Sequence, residues 1–578
     1  MSDTREEAAN GTQTLADLQH WTWVLGRAQQ MLLENGFHTM ESAPLSGWSD
    51  PDAFARASTD FWSDTMKLWQ RFLDPATRGE GAGESPERAK DKRFRAPQWR
   101  EEPLFDFIRQ SYLLIADHML KGIDSLPGMD ARQKEQIRFA TKSFVDAMSP
   151  TNFAATNPQV IERIMETRGE NLLKGLQNML RDMSEGQLTQ SDRSAFTLGE
   201  NIAATPGKVV RQTDLYELIQ YEPTTETVAK TPLVIFPPWI NRFYILDLSP
   251  EKSFIKWAVD QGITVFVVSW RSADASMAGV GWDDYVERGQ IDAIDAVRDL
   301  LKVDGVNAIG YCVAGTALAA TLAVLTARGE ADKVKSATFF TAQVDFKQAG
   351  DLSLFVDDEQ LAMIESLNTD GYLDGRFMAA TFNLLRGRDL IWNYVTNNYL
   401  LGEDYAPFDL LHWNADVTNL PGQWHRDYLR DLYRDNLLVK PGAMTIAGTP
   451  IDLTTIATPV YIQAGREDHI APPESVWKMT EHLSGPMRFV LAGSGHIAGV
   501  VNPPVAKKYQ YWTFSGKADS LESFTALASE TKGSWWPDWR KWIGQYDGGT
   551  VKATGARKPG SGKRKTYGDA PGSYVRQR

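Results

Sequence analysis

Residues 306–316 read Val-Asn-Ala-Ile-Gly-Tyr-Cys-Val-Ala-Gly-Thr, and the fold turns on how this stretch is parsed. Val306 to Tyr311 is an apolar run of strand length, and Ala314 to Ala327 is a helix of small apolar residues. Cys312 stands at the junction, with Gly310 two residues before it and Ala314 two after. A turn that tight brings the backbone on either side together, so small side chains are needed there. The helix N-terminus turns its first N–H groups toward the cysteine, which favours a thiolate and any oxyanion formed beside it. A lone cysteine taken by itself reads as an inert buried thiol. Strand, small neighbours and small-residue helix together reverse that reading.

Working outward, apolar runs of strand length recur at Leu233–Phe236, Ile263–Trp270, Ser336–Val344, Pro459–Ala464 and Met487–Ala492. Helical stretches such as Trp282–Leu301 lie between them. This alternation predicts a mainly parallel, doubly wound sheet covered on both faces. With a nucleophile on a strand-to-helix elbow, the fold class is α/β, specifically an α/β-hydrolase fold spanning residues 206–550. Between about 345 and 455 the alternation fails, and aromatics accumulate (Trp392, Tyr394, Tyr399, Trp413, Trp424, Tyr428, Tyr433). This segment reads as a cap insertion. Helical spacing precedes the sheet: Leu15, Trp21, Leu25 and Leu32, then Phe54, Phe61, Leu68 and Phe72, within a segment 1–73. A polar, Gly/Pro-rich linker follows at 74–97, then a helical domain at 98–205. Residues 551–578 are Gly/Pro-rich and basic and read as a flexible tail.

Chain order in this fold is nucleophile, acid, histidine. The strand Pro459–Ala464 ends in Gly465-Arg466-Glu467-Asp468, and the strand Met487–Ala492 ends in Gly493-Ser494-Gly495-His496. Asp468 and His496 therefore occupy the loops where acid and base belong. Of the other histidines, His20, His38 and His118 precede the sheet, His412 and His425 fall in the insertion, His482 is on a helix, and His469 adjoins the acid. His496 can draw a proton from Cys312 or from a substrate hydroxyl, while Asp468 holds its tautomer. The oxyanion hole takes one N–H from Val313 and another from the loop Phe236–Asn241, where Ile240 and Trp239 both qualify.

Composition bounds the chemistry. The chain has 578 residues and a net charge of −13, which argues against general nucleic-acid binding. One cysteine excludes an intrachain disulfide and suits a reducing compartment. The N-terminal MSDTREEAANGTQ lacks the order of a signal peptide, and no apolar run spans a bilayer, so a cytoplasmic location is expected. No His/Cys cluster suggests a metal, and Lys558–Lys563 lacks the spacing of a phosphate loop. Cysteine exchanges readily with thioesters, so the chemistry points to an acyl thioester and to transfer rather than hydrolysis.

At FPPWINRFYILDL (236–248), VVSWRSADASMAG (267–279), GYCVAGT (310–316), PFDLLHWNADVTNLPG (407–422), GREDHIAP (465–472), GSGHIAGVVNPP (493–504) and GSWWPDW (533–539) the chain resembles the polyhydroxyalkanoate synthases. Length and the GYCVAGT form are most similar to the single-subunit, short-chain class, whereas DLSPEKS (247–253) is similar to the medium-chain class. The resemblance implies an acyltransferase polymerising (R)-3-hydroxyacyl-CoA, such as 3-hydroxybutyryl-CoA, with release of CoA. Cys312 would carry the chain, and Asp468 with His496 would activate the thiol and the incoming hydroxyl. It implies no cofactor, since the CoA thioester is the substrate. It further implies a mobile cap, a homodimer, an N-terminal region that helps attach to polymer granules, and contact with granule-associated proteins. A thioesterase or esterase of the same fold, or a silent granule-coat protein, remain alternatives at this point.

Overall fold

A computed structural model describes residues 51–73 and 90–577, apart from 125, 127, 369 and 563. The apolar stripe from Leu15 to Leu32 and most of the expected linker lie outside the described residues. The chain forms two compact units, Met1–Asp192 with Ala380–Ala406, and Arg193–Ala379 with Pro407–Arg578.

In the helical unit, α1 (Pro51–Leu73) packs on α2 (Pro103–Asp124) through Phe72 and Trp69, whose rings lie 4.5 and 4.7 Å from that of Phe107. Phe94 and Trp99 are fully buried against each other, edge to face at 5.0 Å. The expected linker therefore stops short of residue 97. Asp91 caps the turn Lys92–Phe94, and Arg93 bridges Asp91 and Asp146 at 2.7 and 3.2 Å. Two buried aromatics and a paired guanidinium outweigh the polar composition of this stretch. A capping box of Asp130 and Gln133 starts α3 (Ala131–Ala147). Asn157 and Pro158 start α4 (Pro158–Thr167), which leads to α5 (Glu170–Glu185).

Part of the expected cap belongs to this helical unit. Tyr399 donates to Asp182 Oδ2 at 2.7 Å, Asn171 donates to Leu400 O at 2.7 Å, and Arg388 pairs with Asp146 at 3.0 Å. The insertion is thus not one piece: residues 380–406 fold with the helices, and the remainder with the sheet.

The second unit is built on eleven strands: β1 (Gly207–Gln212), β2 (Tyr216–Tyr221), β3 (Leu233–Phe236), β4 (Val265–Trp270), β5 (Val306–Tyr311), β6 (Val334–Phe340), β7 (Val460–Gly465), β8 (Met487–Ala492), β9 (Gln510–Thr513), β10 (Ser529–Lys532) and β11 (Gly568–Asp569). Their order is β10-β9-β8-β7-β6-β5-β3-β4-β2-β1-β11. The six from β8 to β4 run parallel, and antiparallel strands close both edges. This is the α/β-hydrolase fold with a cap insertion. Alternation assigns side chains to two cores: Val234, Phe236, Phe266 and Val268 to one face, Leu233, Ile235, Val265 and Val267 to the other.

Residues 551–577 do not form a loose tail. Thr550–Lys552 pairs with Thr227–Ala229, and β11 pairs with β1. Arg557 is buried, donating to Ala229 O at 3.2 Å and Lys230 O at 2.6 Å. Buried Glu217 of β2 accepts the N–H groups of Ser573 and Tyr574 at 2.9 and 3.0 Å. Partners distant in sequence thus satisfy a segment whose composition reads as solvated. Among the described residues, no helix is long and apolar enough to cross a membrane.

Candidate active site

β5 is buried throughout and delivers Cys312 to the C-terminal edge of the sheet, between β3 and β6. Cys312 sits at φ 53°, ψ −127° and opens helix α6 (Val313–Ala327). A non-glycine residue keeps such a conformation only where its surroundings over-determine it. Here they do: its N–H donates to Phe340 O at 2.9 Å, and its carbonyl accepts from the N–H groups of Gly315 and Thr316 at 2.9 and 3.1 Å. A Cβ on Gly310 would stand 2.5 Å from Gly315 Cα, and one on Gly315 would stand 2.4 Å from Ala342 Cβ. Closeness in the elbow therefore falls on Gly310 and Gly315. Ala314 fits with its methyl fully buried, and its carbonyl accepts from Gln290 Nε2 at 2.9 Å.

Asp468 and His496 follow the neighbouring parallel strands β7 and β8. His496 donates Nδ1–H to Asp468 Oδ2 at 2.7 Å. The other carboxylate oxygen, Oδ1, accepts from the N–H groups of Ile470 and Ala471, both at 2.9 Å, which fixes the acid's rotamer. Tyr311, the residue before Cys312, donates its hydroxyl to His496 O at 3.0 Å and so ties the histidine loop to the elbow. Burial opposes the imidazolium of His496. The charges of Asp468 and Cys312, and hydrogen bonds to both side chains, outweigh it and push His496 up to about 10. Cys312, His496 and Asp468 thus follow three different strands of the sheet, with His496 bonded to Asp468.

The candidate oxyanion donors lie in the expected elements. Val313 is the first residue of α6, and Ile240 follows Trp239 in the loop after β3, whose Phe236 pairs with Gly310. The capping segment holds that loop on both sides of Ile240: Thr418 donates to Trp239 O at 2.6 Å, and Trp413 Nε1 donates to Arg242 O at 2.7 Å.

Two aromatics that the sequence offers only as members of the insertion are brought together on one turn. Tyr428 and Tyr433, on the π-helical segment Tyr428–Arg434, stand with ring centroids 5.3 Å apart, edge to face. Burial, then the charges of Tyr433 and Cys312, hold the Tyr428 phenol well above its usual range. The wider π turn brings together residues that ordinary α-helical spacing would splay.

The family described as Poly-beta-hydroxybutyrate polymerase (PhaC) N-terminus matches residues 90–258, and alpha/beta hydrolase fold matches residues 232–503. The chain is 46% identical to the "Poly(3-hydroxyalkanoate) polymerase subunit PhaC" of Rhizobium meliloti (strain 1021), over 92% of this chain and 87% of that protein. It is 43% identical to the protein of that name from Cupriavidus necator, over 89% and 87%. It is 34% identical to "Poly(3-hydroxyalkanoate) polymerase 1" of Ectopseudomonas oleovorans, over 84% and 87%. With that identity over most of its length, and with the hydrolase sheet carrying an elbow cysteine beside a carboxylate-bound histidine, the chain belongs to the poly(3-hydroxyalkanoate) polymerases and is an acyltransferase.

Proposed function

We propose that Cys312 is the nucleophile of this polymerase, that His496 is its base and Asp468 the orienting acid, and that the monomer is an (R)-3-hydroxyacyl-CoA, with 3-hydroxybutyryl-CoA preferred. The observation that carries this is the 2.7 Å bond between Asp468 Oδ2 and His496 Nδ1, on loops of the sheet whose elbow bears Cys312, with the charge of Cys312 helping to hold the imidazolium. His496 takes the thiol proton, and Cys312 sulfur attacks the thioester carbonyl. The N–H groups of Val313 and Ile240 receive the oxyanion. The carbon–sulfur bond to CoA then breaks, and CoA leaves as a thiol with the proton from His496. In elongation the 3-hydroxyl of an incoming acyl-CoA gives its proton to His496 and attacks the Cys312 acyl carbonyl. The new ester carries the chain on CoA and frees Cys312. Return of the chain to Cys312 releases that CoA, so each cycle forms one ester and frees one CoA. CoA is a leaving group, and the cycle needs no cofactor.

The capping residues that fold with the sheet carry Tyr428 and Tyr433, both buried, their phenols held above the usual range in part by the charge of Cys312. An aromatic lid there keeps water from the acyl enzyme and favours transfer over hydrolysis. In this reading the lid moves to admit substrate, and the active state is a homodimer at the polymer granule. The test is incubation with 3-hydroxybutyryl-CoA, following CoA release and insoluble polymer together. Both should appear. CoA without polymer would make the protein a thioesterase, and neither product would make it a granule coat.

A further inference from the structure

Five tryptophans around the sheet give their indole N–H to an oxygen: Trp270 to Pro237 O, Trp413 to Arg242 O, Trp535 to Gly499 O, Trp536 to Val500 O and Trp539 to Thr338 Oγ1. Three that touch one another do not. Trp239, Trp282 and Trp424 are 2%, 7% and 0% exposed, and among the described residues none of their Nε1 atoms has a hydrogen-bond partner. Their ring centroids stand 5.1 Å (239–424), 5.6 Å (282–424) and 6.3 Å (239–282) apart, all edge to face. Trp99 and Trp477 also lack an acceptor but stand outside this group. A buried donor without an acceptor costs stability, and ring faces are weak substitutes for a carbonyl. Three such donors in one cluster mark a place built for something that brings acceptors.

The cluster adjoins the loop that follows β3. Trp239 precedes Ile240 in that loop, and Tyr428 of the capping segment stacks on Trp424 at 5.0 Å. Trp239 in turn stacks on Tyr285 at 3.9 Å, which completes an apolar aromatic wall. A polyester chain matches this wall: it carries a carbonyl acceptor in every repeat, no donor along its backbone, and alkyl groups between. We propose that Trp239, Trp282 and Trp424 form a subsite for the growing polyester, their indole N–H groups donating to its ester carbonyls. The subsite rests on the polymerase reading of Cys312. Trp424 lies on the capping segment and Trp239 and Trp282 on the sheet side, so movement of the cap parts the three rings and opens the space the chain fills.

The test uses the full-length protein with Trp239→Phe, Trp282→Phe and Trp424→Phe, singly and combined, and with Trp539→Phe as a control whose indole already has an acceptor. Each is assayed with 3-hydroxybutyryl-CoA and with the CoA thioester of a 3-hydroxybutyrate trimer. The triple variant should lose less toward the monomer than toward the trimer. It should lose about tenfold in kcat/KM toward the trimer and make shorter chains, while the control behaves as wild type. Equal handling of the trimer by wild type and triple variant would overturn the subsite and leave the indoles donating to ring faces alone. Should the triple variant not fold, the indole ¹⁵N–¹H resonances of the wild type decide. Three should move downfield when trimer acylates Cys312, and no movement on acylation overturns the proposal. A wild type that releases no CoA from either substrate defeats the polymerase reading itself, and the subsite falls with it.

Discussion

Two tryptophan clusters lie on opposite faces of one sheet, and burial alone does not separate them. Trp535, Trp536 and Trp539 are fully buried, as is Trp424. Each of these three indole N–H groups has an acceptor, and two of the acceptors, Gly499 O and Val500 O, close the loop that begins at His496. That cluster of GSWWPDW, continued by α7 (Trp536–Ile543), is architecture holding the histidine loop from behind. On the other face Trp239, Trp282 and Trp424 form a cluster in which, among the described residues, no indole N–H has one. On the proposal above, the first cluster serves structure and the second serves the polymer.

The largest effect expected touches neither cluster. Cys312→Ala removes the sulfur and keeps a residue that tolerates φ 53° no worse. CoA release should vanish entirely with the melting temperature unchanged, measured by thiol titration and circular dichroism. Retained turnover would remove the nucleophile on which the comparison depends. Next comes the satisfied cluster. Trp536→Ala opens a large cavity and strands Val500 O, so stability should drop by about 3–5 kcal/mol in denaturant unfolding. The enzyme that remains folded should treat monomer and trimer thioesters in the wild-type ratio. A changed ratio would erase the contrast between the two faces.

A smaller and sharper effect concerns pH. His496 titrates near 10 in the folded protein against 6.5 in the unfolded chain. Its contribution to stability is therefore fully present below pH 6.5 and lost as pH rises through 10. Asp468→Asn removes the strongest influence holding the proton, so the imidazolium should titrate at lower pH and less stability should be lost between pH 7 and 10. Elongation should slow more than first acylation, because a hydroxyl needs a stronger base than a thiol. NMR of His496 and melting curves across that range decide it; identical titration in the two proteins would detach Asp468 from its role.

The elbow was legible because local sequence carries it: an apolar run, Gly310, Cys312, and a helix of alanines and leucines. The parallel strands were legible for the same reason, and Asp468 and His496 followed from chain order. What composition hid depends on distant partners. β1 and β2 interleave Lys208, Arg211, Glu217 and Gln220 with apolar residues, and Glu217 and Gln220 are buried only because residues 556–574 bond to them. The same bonds turn the expected tail into part of the sheet unit. The division of the insertion was equally hidden, since Tyr399 and Arg388 are claimed by Asp182 and Asp146 more than 200 residues away in sequence. The oxyanion loop was readable as a loop, but its clamps, Thr418 and Trp413, were not.

The smallest effect on turnover should come from the helical unit, where several large apolar side chains stand exposed. Trp62 and Met66 of α1 are 64% and 61% exposed, and Met165, Leu173 and Leu180 of α4 and α5 are exposed too. Leu173, Leu176 and Leu180 recur at helical spacing, so they line one stripe. If these stripes serve attachment to polymer, losing α1 should change where the enzyme works and not what it does. The cut must fall before residue 90, because Phe94 and Trp99 belong to the buried core of this unit. Deleting residues 1–89 should leave an enzyme that consumes 3-hydroxybutyryl-CoA within about twofold of the wild-type rate once polymer has formed, since the deleted residues lie outside the unit that carries Cys312, Asp468 and His496. It should show a longer lag, because nascent product is no longer held beside the site, and sedimentation should find less of it on granules. Phe107 loses its cover from Trp69 and Phe72, so a modest fall in melting temperature is expected as well. Lag and granule partition equal to wild type, with that fall in melting temperature present, would make α1 a purely structural helix and assign attachment elsewhere.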